Sequence, residues 1–337
     1  MLISIICISL LLCACGNNDI PDEPAEAVTE VVVEAEQESE GEAEVEATET
    51  VTDDSPESED ASEEEVTVEE KEETDATSED TTTTSGRYDM QEMTFTRDGM
   101  TIYGHVYVPE GDGPFPGVVL GHGYGANLSM MEPYAKELAK YGYAAIAIDF
   151  IGGGRGSKSD GSMMEMSVLT EAADMNTVFD EVRKLDYIDE DRMYVMGASQ
   201  GGFVATYVAG TRPDDVKGLI ALYPAYVLQD DSRARTKDGT EFIDEFDVMG
   251  CTISRKYDED ALSFDIYDVM ADYHGEVLLI HGTKDPVVPL SYSERAAEVL
   301  DHAELIVIDG AGHGFNYKDD TYAKECIIEF MQRVEQK

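Results

Sequence analysis

Residues 87–337 predict an α/β domain with a mostly parallel, doubly wound sheet that begins with an antiparallel hairpin. Short continuous apolar runs recur along this stretch, and such runs are typical of strands buried on both faces. Amphipathic stretches with helical periodicity separate most of these runs. Because strands that alternate with helices form a parallel sheet covered on both sides, we expect helices on both faces.

Each element of this prediction has its own signal. The hairpin is predicted from two alternating runs, residues 91–96 and 100–108, joined by Asp98-Gly99, a strong turn signal. Buried strands are predicted from the apolar runs at residues 117–120, 144–148, 193–196, 218–222, 277–280 and 305–308. Helices are predicted from amphipathic periodicity at residues 131–141, 168–185, 201–211, 292–300 and 323–334.

The strand and helix alternation fails over residues 225–274. This stretch is polar and rich in Asp, Arg and Tyr. An excursion of this length within a compact domain is usually functional. We interpret it as a lid insertion that covers the ends of the strands.

Residues 1–15 form a short apolar run that is typical of a secretory signal peptide. Its ending, Leu12-Cys-Ala-Cys15, resembles a bacterial lipobox. That resemblance implies cleavage before Cys15 and diacylation of its thiol, which would anchor the protein outside the cytoplasmic membrane. An uncleaved signal anchor is the alternative. No Lys or Arg precedes the apolar run, so the true start codon stays open.

Residues 16–86 predict a disordered acidic linker. They contain 28 Asp and Glu and one basic residue, Lys71. Like charges at this density repel one another, and a tract whose apolar residues are mostly Val and Ala cannot bury enough surface to offset the entropy of ordering. We interpret the tract as a solvated spacer rather than a cation-binding arm, because its acidic residues have no fixed ligand geometry.

The whole chain carries a formal net charge of −50. This charge argues against nucleic acid and anionic lipid as partners, so membrane contact is expected only through the lipid anchor. Cys251 and Cys326 are the cysteines of the predicted domain, and the sequence leaves open whether they form a disulfide or two free thiols. No cysteine spacing such as C-x-x-C indicates a metal site.

The segment Gly197-Ala-Ser199-Gln-Gly201 lies between an apolar strand and a helix with an apolar face. In that context a G-x-S-x-G sequence predicts a nucleophile elbow, a strained turn that exposes the serine hydroxyl at the edge of the sheet. The N-terminus of the following helix favours negative charge that develops beside it. Ser199 is therefore the candidate nucleophile.

A serine nucleophile needs a base, and the base needs an acid that orients it. Asp285 and His313 each lie on a loop directly after a predicted strand, where open parallel sheets place their sites. Their order after Ser199 is the one that G-x-S-x-G hydrolases use. For Asp285, capping of the following turn is the alternative role.

The oxyanion hole requires backbone N–H donors. We assign one to the amide of Gln200, directly after the nucleophile, and the other to the amide of Tyr124, in the loop after the strand at residues 117–120. His122 in the same loop is an alternative base, but we expect it to brace the loop.

Taken together, the motifs resemble the feruloyl (cinnamoyl) esterase branch of the α/β-hydrolases over residues 93–337. The resemblance rests on HGY at 122–124, the Gly-rich loop 149–161, GASQGG at 197–202, YPA at 223–225, HGTKDPVVP at 281–289 and GAGH at 310–313. It implies hydrolysis of carboxyl esters through an acyl-enzyme, without a metal or cofactor.

The resemblance also implies that the insertion covers an aromatic acyl group. An acidic residue near Asp231, beside Asp230, would then hydrogen-bond a phenolic hydroxyl, and Tyr257 would correspond to a tyrosine of the insertion. The chain departs from the family in two places: Ala198 replaces a common His, and the loop at residues 151–156 is longer and richer in glycine. Both departures affect the shape of the pocket.

We therefore expect a surface-anchored serine carboxyl-ester hydrolase that acts on a small-molecule or oligosaccharide ester, with feruloyl and cinnamoyl esters implied by the resemblance. A serine exopeptidase or prolyl-oligopeptidase-like hydrolase, which has the same elbow and triad, is the first alternative. A non-catalytic surface binding protein with a hydrolase fold is the second. The sequence leaves the oligomeric state open.

Overall fold

The computed structural model describes residues 86–337, so the predicted signal segment, Cys15 and almost all of the predicted linker lie outside the described residues. The strands are β1 (Tyr88–Arg97), β2 (Met100–Pro109), β3 (Phe115–Gly121), β4 (Ala144–Ile148), β5 (Ile188–Ala198), β6 (Gly218–Leu222), β7 (Glu245–Val248), β8 (Cys251–Ser254), β9 (Glu276–Gly282) and β10 (Ala303–Ile308). The helices are α1 (Glu132–Lys140), α2 (Val168–Val182), α3 (Gln200–Thr211), α4 (Leu228–Thr236), α5 (Lys256–Ala261), α6 (Ile266–Met270), α7 (Ser291–Val299) and α8 (Tyr317–Glu335).

Eight of these strands form one sheet in the order β1-β2-β4-β3-β5-β6-β9-β10. The hairpin strands β1 and β2 are antiparallel, and β2 is also antiparallel to β4. From β4 to β10 every neighbouring pair is parallel. The fold class predicted from the sequence is therefore confirmed, including the initial antiparallel hairpin.

The central strands contribute side chains to two apolar layers, one on each face of the sheet. In β3, Val118 and Leu120 belong to one buried cluster and Val119 to the other. In β6, Ile220 and Leu219 are divided in the same way. This alternation follows from the two-residue repeat of a strand, and burying each such side chain stabilises the fold by roughly 1.5–3 kcal/mol.

The last helix begins at Tyr317, earlier than residue 323, where the apolar periodicity begins. Asn316 caps it, since its side-chain oxygen accepts hydrogen bonds from the amides of Lys318 and Asp319. None of the residues in its first turn, 317–320, is buried, so the turn carries no apolar repeat from which the start could be predicted.

The insertion at residues 225–274 is folded. It contains α4, the two-stranded sheet β7–β8, α5 and α6. Tyr257, Ile266 and Met270 join the buried cluster on one face of the main sheet, whereas Met249 at the tip of the β7–β8 hairpin is 73% exposed. The insertion is thus anchored in the core at one end and presents an apolar side chain to solvent at the other.

Within residues 86–337, no helix combines the length and the apolar character needed to cross a membrane.

Candidate active site

Ser199 occupies the turn between β5 and α3 in a strained backbone conformation. Its φ is 55° and its ψ is −119°, a region that residues other than glycine rarely adopt. Two hydrogen bonds hold the turn: the Ser199 amide donates to the Leu222 carbonyl, and the Ala225 amide donates to the Ser199 carbonyl, each at 2.9 Å. The strand after the elbow therefore fixes the position of the serine.

Two glycines allow the strand and the helix to approach each other at this turn. A Cβ atom on Gly197 would lie 2.1 Å from the carbonyl oxygen of Gly201, and one on Gly201 would lie 2.2 Å from that of Gly121. Because these neighbours are backbone atoms, no side-chain movement could relieve the overlap. The elbow geometry requires glycine at both positions.

The structure brings together the three side chains that the sequence singles out as a triad. Nε2 of His313 lies 2.9 Å from Oγ of Ser199, and Nδ1 of His313 lies 2.8 Å from Oδ2 of Asp285. The Asp285 side chain is fully buried, whereas that of His313 is 17% exposed. These contacts have the geometry of a serine activated by an imidazole that a carboxylate orients.

Asp285 makes the contacts that both of the roles considered for it require. Its Oδ1 accepts hydrogen bonds from the amides of Val287 and Val288, each at 2.8 Å, and so caps the turn, while its Oδ2 faces His313. The turn therefore aims the carboxylate at the imidazole. Two hydrogen bonds to Oδ1 and one contact of Oδ2 with His313 leave little freedom for the side chain to rotate.

A second histidine, His281, lies behind this carboxylate. Its Nε2 is 3.0 Å from the Val288 carbonyl and 3.3 Å from Oδ2 of Asp285, and its Nδ1 is 2.7 Å from Oγ of Ser293. Two acceptors around Nε2 place the proton there, with the Ser293 hydroxyl donating to Nδ1. Burial lowers the pKa of His281, which favours this neutral form.

His122 is buried and braces the loop after β3, as expected from the sequence. The Phe150 amide donates to its Nε2 at 3.2 Å, and its Nδ1 donates to the Gly123 carbonyl at 2.8 Å. Burial lowers the pKa of His122. With both ring nitrogens engaged away from Ser199, it is not placed to act as the base.

Tyr124 and Gln200, the predicted oxyanion-hole residues, line the same cleft as Ser199. Among the described residues, neither of their backbone amides donates a hydrogen bond to another protein group. Buried amides are nearly always paired, so two free N–H groups beside a nucleophile are available to an oxyanion.

The cleft beside Ser199 has an apolar wall and one acidic group. It encloses about 470 Å³ including its open mouth. Its apolar lining comes from Ala225, Val227, Leu228, Val248, Met249, Val287 and Val288. Asp231 lines it too, with a carboxylate that has no hydrogen-bond partner among the described residues, and burial raises the pKa of this carboxyl.

The neighbouring charged groups are already paired. Arg235 lines the cleft but binds Asp258, with 2.7 Å from Nη2 to Oδ1. Asp230 accepts hydrogen bonds from Arg233 and from the hydroxyl of Tyr292. Of this acidic pair, only Asp231 offers a free acceptor to the cleft.

Tyr257 lies in the cleft wall, as expected, but it is only 4% exposed and its hydroxyl donates to Oε1 of Gln200 at 2.6 Å. Its assignment as a substrate-binding residue stays a prediction. Cys251 and Cys326 are free thiols in the structure, and both are partly exposed.

Besides His281, two residues of the site were not found from the sequence. The ring of Tyr223 packs edge-to-face on that of His313 with centroids 4.8 Å apart, and Glu171 on α2 accepts a hydrogen bond from Nε2 of Gln200 at 2.8 Å. Glu171 falls within the apolar stripe of its helix, beside Val168, Ala172 and Met175. An acidic residue in a core-facing stripe is the signal that could have found it.

No group of three or more His, Cys, Asp or Glu side chains within residues 86–337 is arranged to hold a metal ion.

Comparison with known proteins places this chain among hydrolases. The sequence pattern of the prolyl oligopeptidase family matches residues 129–337. The chain is 25% identical to the mitochondrial palmitoyl-protein thioesterase ABHD10 of Mus musculus over 243 residues, which cover 64% of this chain and 75% of that protein. It is 31% identical to caffeoylshikimate esterase of Arabidopsis thaliana over 126 residues, covering 36% of this chain and 37% of that one.

Among solved structures, Est1E from Butyrivibrio proteoclasticus with ferulic acid bound superposes with a TM-score of 0.67 and 25% identity, covering 73% of this chain and 100% of that chain. The structure of mouse ABHD10 superposes with a TM-score of 0.57 at 22% identity and shares the fold.

Proposed function

Since the chain belongs to the prolyl oligopeptidase family and has the α/β-hydrolase fold, we propose that it is a serine carboxyl-ester hydrolase that acts through Ser199, His313 and Asp285. The observation that carries the proposal is the continuous contact from Oγ of Ser199 through the His313 ring to the carboxylate of Asp285.

In the acylation step, Nε2 of His313 takes the proton from Oγ of Ser199 as this oxygen attacks the acyl carbon. The carbonyl oxygen becomes an oxyanion, which the amides of Tyr124 and Gln200 stabilise. His313 then gives its proton to the departing alcohol as the ester bond breaks. Asp285 keeps the ring oriented and stabilises the imidazolium while it exists.

In the second step, water replaces the alcohol. His313 removes a proton from the water, the hydroxide attacks the acyl-enzyme, and the proton returns to Ser199 as the acid is released. The protein's own side chains and amides supply every proton transfer.

The lining of the cleft favours a substrate whose acyl group is largely apolar and carries a hydrogen-bond donor at its far end. The apolar wall favours an aromatic or short aliphatic group, and the free Asp231 carboxylate is an acceptor for a phenolic hydroxyl. Feruloyl and related hydroxycinnamoyl esters combine these features, and Est1E, whose structure contains ferulic acid, has the same fold.

The family match favours a second candidate, a serine exopeptidase. The same triad attacks amides, and an acidic group in the cleft could bind the ammonium group of an N-terminal residue. Comparing kcat/KM for methyl ferulate with that for aminoacyl nitroanilides separates the two candidates. The proposal of an esterase requires the ester to be preferred by at least about 100-fold, a transition-state difference of about 2.7 kcal/mol.

The test of the catalytic proposal is hydrolysis of p-nitrophenyl butyrate and methyl ferulate by the full chain, by Ser199→Ala and by Ser162→Ala. Ser162 is an exposed serine outside the described cleft and serves as the matched control. We expect Ser199→Ala to lose at least about 1,000-fold in kcat and Ser162→Ala to keep wild-type activity. Substantial activity of Ser199→Ala would show that another residue is the nucleophile, and an inactive wild type would favour the non-catalytic alternative.

We also propose that the protein is anchored outside the cytoplasmic membrane through diacylated Cys15, with residues 16–86 as a spacer. The Leu12-Cys-Ala-Cys15 sequence supports the anchor, and the dense negative charge supports an extended spacer. A tethered esterase at that location would meet esters that are outside the cell, such as acyl groups on polysaccharide fragments.

A further inference from the structure

A chain of buried hydrogen bonds runs from the lid to helix α2 through the predicted oxyanion hole. The hydroxyl of Tyr257, on α5 of the insertion, donates to Oε1 of Gln200 at 2.6 Å. Nε2 of Gln200 donates to Oε2 of Glu171, on α2, at 2.8 Å. Gln200 is 1% exposed and Glu171 is not exposed at all, so water has no access to these contacts.

The same network reaches the second oxyanion-hole residue. The ring of Tyr257 packs edge-to-face on that of Tyr124 with centroids 5.9 Å apart, and the Tyr124 hydroxyl donates to the Val248 carbonyl of the lid at 3.3 Å. Both residues that supply the oxyanion amides are therefore attached to the insertion through their side chains.

Glu171 is the unusual member of the network. Its Oε1 is buried and has no hydrogen-bond partner within residues 86–337. An ionised carboxylate in this position would be a buried charge with one neutral donor, which is far less stable than the uncharged acid. Burial, together with the negative charge of Asp174 on the same helix, accordingly raises the pKa of Glu171 to about 8.

The titratable groups that face Glu171 do not offer a positive charge. Asp174 lies on the same helix, Tyr257 faces it from α5, and Tyr124 faces it from the loop after β3. Arg97 pairs with Asp174 rather than with Glu171. The uncharged form of Glu171 is thus consistent with its whole surroundings.

On the premise of the proposed function, we propose that Glu171 is a positioning residue for the oxyanion hole and that it acts in its uncharged form. It fixes the side chain of Gln200, and hence the residue whose amide receives the oxyanion, between α2 and the lid. Its role is exerted through Gln200, and it has no contact with the reacting atoms.

Ionisation of Glu171 would oppose the reaction in a direct way. The transition state places a negative charge at the amide of Gln200, and a second negative charge would then lie at the end of the same residue's side chain. In a water-excluded interior such a repulsion is weakly screened. The pH profile of kcat should therefore have two limbs. Activity rises as the catalytic imidazole of His313 loses its proton, and it falls again at higher pH as Glu171 ionises.

The test compares pH profiles of kcat for the wild type, Glu171→Gln and Glu171→Leu in the full chain, with the Ser199→Ala rate subtracted as background. Glu171→Gln keeps the acceptor and the shape but cannot ionise. We expect kcat of Glu171→Gln to match that of the wild type within about twofold at pH 7. At pH 9 the variant should keep this kcat, whereas kcat of the wild type should have fallen about tenfold.

Glu171→Leu removes the carboxyl acceptor of Nε2 of Gln200, whereas the hydrogen bond from Tyr257 to Oε1 of Gln200 stays. We expect kcat to fall about 10-fold with a smaller change in KM, because the contact acts in the transition state. Wild-type kcat in Glu171→Leu would overturn the positioning role. If Glu171→Leu does not fold, the profile of Glu171→Gln decides: an alkaline limb that coincides with that of the wild type overturns the proposal.

Tyr257→Phe tests the other end of the network, with Tyr226→Phe as its matched control. Both tyrosines are buried, and Tyr226 bonds to Thr206 rather than to Gln200. We expect Tyr257→Phe to lower kcat about 3- to 10-fold and Tyr226→Phe to change it less than twofold. Equal effects of the two substitutions would overturn a specific link to the oxyanion hole.

Failure of this inference is distinct from failure of the proposed function. If the wild type shows no ester hydrolysis that depends on Ser199, the function itself is wrong and the inference falls with it. If the wild type is active and the Glu171 variants have unchanged kcat and pH profiles, only the inference is wrong.

Discussion

Oγ of Ser199 and Nε2 of His313 lie 2.9 Å apart, although 114 residues separate them in the chain. The contact exists because β5 and β10 are strands of one parallel sheet, and the loops that follow them lie at its carboxyl edge. The order of strands thus brings the two loops together. The elbow then positions Ser199, and the Gly-rich loop positions His313.

Removing the charge of Asp285 should nearly abolish catalysis without unfolding the protein. Asp285→Asn keeps the side-chain shape but favours the wrong tautomer of His313, so we expect kcat to fall about 1,000- to 10,000-fold. Asp309→Asn is the control, since Asp309 is exposed and, within residues 86–337, its side chain bonds only to Thr283. Steady-state kinetics with p-nitrophenyl butyrate measure both, and a loss below about tenfold for Asp285→Asn would contradict the orienting role.

The role assigned to Asp231 predicts a loss that depends on the substrate. Asp231→Asn should raise KM for methyl ferulate about 3- to 10-fold, because a charged acceptor for the phenolic hydroxyl is lost. KM for methyl cinnamate, which has no phenolic hydroxyl, should stay unchanged. Asp230→Asn is the control, because Asp230 is already paired with Arg233 and Tyr292. Equal effects on the two substrates would argue against a phenol-binding role.

Glu171 also makes the free energy of unfolding depend on pH. Its folded pKa of about 8 is above the unfolded value of about 4.5, so its contribution is fully present below pH 4.5 and is lost as the pH rises to 8. Glu171→Gln avoids this loss. Urea unfolding should therefore show the variant equal to the wild type near pH 4.5 and roughly 3–5 kcal/mol more stable at pH 9.

If the free energies of unfolding of Glu171→Gln and the wild type differed by the same amount at every pH, the carboxyl of Glu171 would not be held neutral in the folded state. Asp174, whose pKa burial raises to about 6, is present in both proteins and cancels in the comparison.

The proposed anchor predicts that Cys15 carries lipid. In cells supplied with labelled palmitate, Cys15→Ala should lose both the label and its place in the membrane fraction. Cys13→Ala is a matched control, because it keeps the predicted cleavage site and Cys15. Label retained by Cys15→Ala would contradict the anchor.

Much of the sheet could be predicted because its strands are buried on both faces. The runs at residues 144–148 and 218–222 match β4 and β6 to the residue. The convergence of Ser199, Asp285 and His313 could also be predicted, since the three follow parallel strands. Their catalytic role stays a prediction until it is measured.

The insertion and the network around Glu171 could not be predicted in the same way. The folding of residues 225–274 depends on long-range packing of Tyr257, Ile266 and Met270 against the main core, which a polar local sequence does not reveal. The contact between Glu171 and Gln200 joins two helices and requires the fold to be known first. Local patterns predict elements well, whereas contacts between elements appear only in three dimensions.

The most direct measurement of the central claim is labelling of the full chain with a fluorophosphonate, followed by mass spectrometry of the adduct. This reagent reacts with a serine only when a base activates it and an oxyanion hole receives the phosphonyl oxygen. We predict one adduct per chain, on Ser199, which His313→Ala reduces at least about 100-fold. An unlabelled protein, or an adduct on another residue, would contradict the assignment of Ser199 as a nucleophile activated by His313.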